Sequence, residues 1–257
     1  MTIDPRAVVS SEAELAEGVI VGPYAVIGAG VRLGPGCRIG PHAVVSGPTV
    51  MGRDNVVYQF ASIGDAPQDK KYRGERTRLE IGDRNVFREG CTVNRGTVQD
   101  RGVTRIGNDG WFMATTHIAH DCQIGDNVIM ANLATLGGHV ELGDWVIVAG
   151  FSGVHQYCRV GAHAFVGNNS SVTKDVPPYL MVAGLPASPA GINTEGLRRR
   201  GFPPGQIAGI KRAYRVLYRS GFRLTEAAAE LRKLAAECPE VLPFVEFLQR
   251  STRSIVR

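Results

Sequence analysis

Residues 15–51 read LAEGVIVGPYAVIGAGVRLGPGCRIGPHAVVSGPTVM, and every sixth position, Leu15, Val21, Ile27, Leu33, Ile39, Val45 and Met51, is aliphatic. The run extends back through Val9 to Ile3 and on through Val57 to Ile63 without a miss. The phase returns at Ile81, Phe87 and Val93, slips by one residue, and continues from Ile106 through Phe112, Ile118, Ile124, Met130, Leu136, Leu142, Val148, Val154, Val160 and Val166 to Val172. Glycine often follows the aliphatic residue, as at Gly22, Gly28, Gly34, Gly107, Gly125 and Gly161.

A period of six is neither the 3.6 of a helix nor the 2 of a plain strand. It suits a short strand plus a corner, with one aliphatic side chain pointing inward on each side of a prism. Three sides make an 18-residue coil, and coils stacked at the β spacing of ~4.8 Å seat each aliphatic on the one 18 residues earlier. The expected fold is all-β: a parallel β-helix of hexapeptide repeats over residues 1–190, followed by an α-helical C-terminal domain over 191–257. A stack tolerates extra residues only as loops leaving a corner. Loops are therefore expected at about 65–80, where a charged segment replaces a coil's worth of wall, and at 94–105, which bulges outward. Pro177-Pro178 is expected to end the repeat. Beyond it Ile207, Ile210, Tyr214, Leu217 and Tyr218 form a helical stripe, Thr225 is a plausible N-cap for a helix to Cys238, and a last helix reaches about Gln249.

Composition agrees with a soluble globular chain: 44% hydrophobic and 21% charged residues exclude disorder, and 32 glycines against 7% aromatics point to many tight turns. No stretch approaches the roughly 18 apolar residues of a membrane span, and Met1 to Gly18 lacks the basic and apolar regions of a signal peptide. Cys37, Cys91, Cys122, Cys158 and Cys238 are odd in number and have no C-x-x-C spacing, so a reducing cytoplasm is expected, with neither disulfides nor a zinc knuckle. The net charge of +5 is uneven: residues 193–257 hold 13 Lys or Arg against 6 acidic residues, leaving 16 against 18 elsewhere. That basic end suits a phosphate-bearing ligand, an acidic partner or a solvated helical face.

Five of the six histidines fall between residues 117 and 163. The hexads starting at Ile118, Leu136 and Val154 belong to one face of three successive coils, which predicts a vertical strip from His120 to His139 to His155, with His117 at the corner before it. Such a strip suits acid and base chemistry near neutral pH. Three imidazoles on one metal would make an open zinc site. If instead His120 faces a hydroxyl and the Gly137-Gly138 turn offers a backbone N–H to a carbonyl oxygen, the site performs acyl transfer. The residues by themselves leave both open. Cys122 reads best as a small packed residue.

Longer strings carry a resemblance. Tyr58 to Gly64 (YQFASIG), Gln68 to Tyr72 (QDKKY), His117 to Cys122 (HIAHDC), Val154-His155-Gln156 and Asn193 to Phe202 (NTEGLRRRGF), with Tyr218 to Gly221 and Ser251 to Arg253, resemble the UDP-N-acetylglucosamine acyltransferases, which start lipid A synthesis in Gram-negative bacteria. The likeness spans the whole chain. It implies that the β-helix is left-handed, against the usual crossover rule, and that three copies assemble with active sites between neighbours. It implies transfer of a 3-hydroxyacyl group from acyl carrier protein to the 3-hydroxyl of UDP-N-acetylglucosamine. No metal is implied, nor any cofactor beyond the phosphopantetheine that carries the acyl donor. Neither nucleic-acid binding nor stable membrane insertion is expected.

By the same resemblance His120 is the general base, Asp121 its partner and the Gly138 N–H the oxyanion donor. Gln68, Asp69, Lys71, His117, His139, His155 and Gln156 would hold sugar and nucleotide, and Asn193, Glu195, Arg199 and Arg200 the nucleotide and its phosphates. The remaining basic residues, Arg212 and Arg215 among them, would meet acidic acyl carrier protein. Asn168 stands where long-chain members have glycine at the end of the acyl groove, so a shorter acyl chain is expected. Pro186 replaces a polar residue of some relatives. The alternative weighed against acyl transfer is a zinc-dependent hydratase, carbonic anhydrase-like, on the same fold; a purely structural β-helix is the non-enzymatic one.

Overall fold

The computed structural model describes residues 1–257. Twenty-eight short strands form three sheets of eleven, nine and eight strands, and as far as Ser171–Val172 successive strands of the chain visit the three sheets in turn. All pairings are parallel except the last, Leu180–Gly184 with Ala187–Ile192. Register follows the hexad arithmetic: Val21 pairs with Ile39 in the first sheet, Ile27 with Val45 in the second and Leu33 with Met51 in the third. The phase-setting aliphatics fill the prism as one core, with Ile27, Ile39, Ile63, Ile118, Met130 and Leu136 almost wholly buried.

A second inward row lies two residues before each aliphatic. Val19, Ala25, Val31, Cys37 and Ala43 are buried there because the corner leaves room only for small side chains. Cys37, Cys91, Cys122 and Cys158 belong to this row and are free thiols, and burial pushes the Cys122 thiol up to about 12. Cys122 is therefore packing and no nucleophile.

The loops enter differently from expectation. Met51 pairs directly with Ile81, a spacing of 30 in place of 18, so the first loop adds 12 residues and removes no wall. Phe87 pairs with Phe112, a spacing of 25, so the second adds seven. The sides of the prism are the hydrogen-bonded part, and an insertion between two sides leaves both ladders intact. The repeat also outlasts Pro177-Pro178, since Val182 continues the first sheet beside Val166. The antiparallel strand Ala187–Ile192 then closes the sheet edge, with Pro186 in the turn between.

Four helices follow: α1 (Thr194–Arg199), α2 (Pro204–Arg219), α3 (Leu224–Glu237) and α4 (Leu242–Arg250). Helix α3 begins earlier than the Thr225 cap predicts, because Glu226 reaches back to the Arg223 N–H at 2.8 Å and closes the first turn there. Ile207, Ile210, Leu217, Leu231 and Phe244 are buried, joining the helices to the core at Tyr179. None of the helices is long and apolar enough to cross a membrane.

The C-terminal tail straps the helices to the β-helix through Asp175, which is 1% exposed. Its carboxylate accepts from the Arg159 N–H at 2.9 Å and from the Ser251 hydroxyl, and its carbonyl accepts from the Val256 N–H at 2.9 Å. Asp175→Ala leaves the Arg159 N–H without its partner, at about 1–3 kcal/mol, and should lower Tm by about 2–12 °C. Thermal melts of the two proteins check this.

Candidate active site

One edge of the prism, the ridge between the second and third sheets, gathers most of the polar residues singled out in the sequence. Ile118, Leu136 and Val154 lie in register on the second sheet, so the residues after them stack in columns. Counting from those aliphatics, His120 falls beneath Gly138 and Gln156, and Asp121 beneath His139 and Tyr157. Asp121, His139 and Tyr157 have φ of 61°, 63° and 63°, the left-handed turn that makes this corner. Repetition of the corner offsets the strain at each such residue.

The predicted strip is corrected here. His120, His139 and His155 stand at three different positions of their hexads and do not form one column. His139 stacks on Tyr157, with centroids 4.3 Å apart and planes at 6°, and meets His120 edge-on at 5.0 Å. His155 is exposed and lies with Nδ1 3.1 Å from the Gln156 carbonyl.

His120 Nδ1 lies 2.9 Å from Asp121 Oδ2. A carboxylate can only accept, so Nδ1 carries a proton, and the tautomer this leaves to an uncharged ring has its lone pair at Nε2. Asp121 is 2% exposed, and burial alone would raise its pKa. Hydrogen bonds from His120 and from Thr97 outweigh that and hold it below the usual carboxylate range. The His120 ring lies against Gly138: a Cβ there would stand 2.6 Å from His120 Cε1 and 2.8 Å from Nε2. Glycine is thus the residue that lets the backbone and the imidazole approach. The Gly138 N–H makes no hydrogen bond within the chain. His117 lies just before the ridge, its Nδ1 2.7 Å from Thr92 Oγ1, and burial followed by the nearby His120 pushes its pKa down.

Both loops leave from this same ridge. In the first, Asp69 Oδ1 accepts from the Lys71 N–H at 2.9 Å, and Arg95, at the start of the second, ties the two together by reaching Gly64 O and Tyr72 Oη. Gln68 and Lys71 are exposed. The second loop does not simply bulge outward but folds back onto the ridge. Thr97 donates to Asp121, Thr104 Oγ1 accepts the Asp121 N–H at 2.8 Å, and Asp100 Oδ2 is 2.9 Å from His139 Nδ1. Sequence reading missed Thr97, Asp100 and Thr104. The available signal was that Val93, from which the loop departs, pairs with Ile118 one coil below the histidines.

The remaining candidates lie on the other two edges. At the corner between the third and first sheets, Asn193 is 4% exposed, donates to the His163 carbonyl at 3.0 Å and caps α1 by accepting from the Gly196 N–H. Arg200 stacks over Trp145 at 5.1 Å and lies 3.2 Å from His163 Nδ1. Burial, then the Arg200 charge, pushes His163 down to about 4, so its neutral ring can accept from the guanidinium. Glu195 and Arg199 form an exposed pair at 2.9 Å. Asn168 is exposed at the corner between the first and second sheets.

A three-histidine metal site is not formed. The donors that converge within 4.8 Å are His120, Asp121 and His139. Each imidazole turns Nδ1 to a carboxylate at 2.9 Å, a gap that a proton bridges, and Thr97 occupies both Asp121 oxygens. The set is arranged to hold and move protons.

A family model described as "Udp N-acetylglucosamine O-acyltransferase; Domain 2" matches residues 175–256, and one for bacterial transferase hexapeptides matches residues 12–47. An acyl-[acyl-carrier-protein]–UDP-N-acetylglucosamine O-acyltransferase of Thiobacillus denitrificans is 57% identical over 256 residues, covering 100% of this chain and 99% of the relative. The protein of that name from Janthinobacterium sp. is 54% identical, covering 99% of each. The crystal structure of the UDP-N-acetylglucosamine O-acyltransferase of Moraxella catarrhalis superposes with a TM-score of 0.98 at 44% identity, covering 100% of both chains. With a ridge that pairs a histidine, a buried aspartate and a glycine amide, and with likeness along its whole length, the chain belongs to the UDP-N-acetylglucosamine O-acyltransferase family.

Proposed function

We propose that the chain transfers a (R)-3-hydroxyacyl group from acyl carrier protein to the 3-hydroxyl of UDP-N-acetylglucosamine, the first step of lipid A biosynthesis, in the cytoplasm. The observation that carries this reading is the His120 ring, tied to Asp121 at Nδ1 and lying against Gly138. His120 Nε2 takes the sugar hydroxyl proton as the oxygen attacks the thioester carbonyl. Asp121 favours the imidazolium that forms. The Gly138 N–H faces the oxyanion. As the C–S bond breaks, the imidazolium returns the proton to the phosphopantetheine thiolate. Every step uses side chains and a backbone amide, with no metal.

Self-association explains why the substrate candidates lie on separate edges. The third sheet carries paired charges outward, such as Glu80 with Arg105 and Glu141 with Arg159. The outer faces of the first and second sheets and the corner between them expose Trp111, Val8, Phe60 and Phe151 at 41%, 63%, 66% and 68%. Those faces suit another copy of the chain. Three left-handed prisms, packed first sheet on second about a threefold axis, bring the His120 ridge of one copy beside the Asn193 and Arg200 edge of the next. Gln68, Asp69, Lys71, His117, His139, His155 and Gln156 then hold sugar and nucleotide across the cleft, with Asn193, Glu195, Arg199 and Arg200 on the nucleotide and phosphates. Asn168 stands at the inner end of the same cleft.

In this reading residues 1–190 are the catalytic β-helix and residues 191–257 a helical domain whose basic surface receives acyl carrier protein. Arg212, Arg215 and Lys233 line a groove there between α2 and α3. The test offers a series of 3-hydroxyacyl carriers with UDP-N-acetylglucosamine, chelator present. Product is expected, with the longest chains poorly used and Asn168→Gly extending the accepted length. The 3-amino sugar serves as second acceptor. No product with either would overturn the reading, and an unaltered length preference in Asn168→Gly would remove Asn168 as the ruler.

A further inference from the structure

Asp121 is the most enclosed charged group of the ridge, and one short segment of the second loop supplies most of its partners. Thr97 N–H lies 2.9 Å from Oδ1 and 3.0 Å from Oδ2, and the Thr97 hydroxyl donates to Oδ2 at 2.6 Å. Oδ2 is also the oxygen that His120 Nδ1 meets. Two donors on one oxygen and a third across the carboxylate fix its plane, so rotation would sacrifice a charge-assisted bond. Three residues on, Asp100 Oδ2 meets His139 Nδ1, which leaves His139 Nε2 directed back over the ridge, 3.9 Å from Asp121 Oδ2. The side chains of His120 and His139 are only 14% and 10% exposed. Two histidine–carboxylate pairs thus stand in contact, and the loop between Asn94 and Arg105 supplies the carboxylate of one, Asp100, and the Thr97 donors that hold the carboxylate of the other.

We infer that Thr97 and Asp100 are positioning residues of the transfer reaction: the Thr97 hydroxyl orients Asp121, and through it the His120 ring, while Asp100 fixes the ring that His139 offers to the sugar nucleotide. The inference rests on the acyl-transfer reading above. It assigns the second loop a role separate from that of the first. Because Thr97 acts through the base, its loss is felt in the chemical step. Because Asp100 acts through a binding residue, its loss is felt in the ground-state complex.

The test is steady-state kinetics with UDP-N-acetylglucosamine varied at saturating acyl carrier, on the full-length protein, with wild type and His120→Ala as controls. Thr97→Val keeps the shape and the backbone N–H bonds and removes only the hydroxyl. It should lower kcat about 10- to 100-fold, the size of one hydrogen bond to a charged group, with KM within about twofold. Thr97→Ser restores the hydroxyl and should recover kcat to within about threefold of wild type. Asp100→Ala and Asp100→Asn should both raise KM about tenfold or more, with kcat changed less than about threefold. Wild-type kcat in Thr97→Val, or a Ser variant no better than Val, overturns the role of Thr97. An unchanged KM in both Asp100 variants overturns that of Asp100. Absence of transfer by the wild type itself would instead sink the acyl-transfer reading. Melting temperatures within a few degrees of wild type show that the variants are folded, and Thr97→Ser keeps the test decisive if Thr97→Val is not.

Discussion

His120→Ala is expected to lose at least the ~10²–10⁴ in rate that a positioned general base supplies, with little loss of stability. The two halves of this outcome have separate physical causes. The imidazole provides the Nε2 lone pair that lies against Gly138. Yet the ring is not in the prism core, whose packing at this level is Ile118, Cys122 and Ile124. Asp121 keeps its three bonds from Thr97 when the imidazole is removed, so its buried charge is not left without partners. Initial rates and thermal melts on the same preparation separate the effects. Activity within tenfold of wild type would show that His120 is not the base.

Gly138→Ala is the second large effect, about 10²–10³ in kcat, although it adds one methyl group and removes no donor. An alanine Cβ would stand 2.6 Å from His120 Cε1, a distance real Cβ atoms do not adopt. Either the ring swings away and stretches its 2.9 Å bond to Asp121, or the backbone withdraws and carries the N–H from the place where the oxyanion forms. Both routes damage the transition state more than substrate binding, so KM should change little. A double-mutant cycle separates them. With His120→Ala already present there is no ring to displace, and Gly138→Ala should then cost less than it does alone. Full independence of the two substitutions would mean that the Gly138 amide acts without reference to the imidazole.

The ridge shows how far a repeat can be read in one dimension. Counting eighteens assigns Ile118, Leu136 and Val154 to one face, and they pair in that register. His120 and Gly138 follow from the same count, because both stand two residues after their aliphatic. His155 does not, because it stands one residue after Val154, and the column over His139 belongs to Tyr157. Hexads share a face, but a column needs the same position within each hexad, because a corner turned through a left-handed residue sends adjacent side chains in different directions.

The period by itself determined the three-sided wall, its inward aliphatics and the levels at which His120, Gly138 and His139 sit. A hexad repeats the same side and the same corner, so local sequence and global geometry carry one instruction. The tertiary structure alone decided what the insertions do. Asn94 to Arg105 has no period, and nothing in its composition says that Thr97 folds onto Asp121 or Asp100 onto His139. The first of those contacts exists because Asp121 is buried and must collect donors from whatever chain passes the ridge. The tertiary structure likewise set Asn193 and Arg200 on a different edge from His120, since the helices begin only after the chain has turned past the last strand. Hydrogen-bond satisfaction and edge assignment are properties of the closed prism, which no single hexad contains.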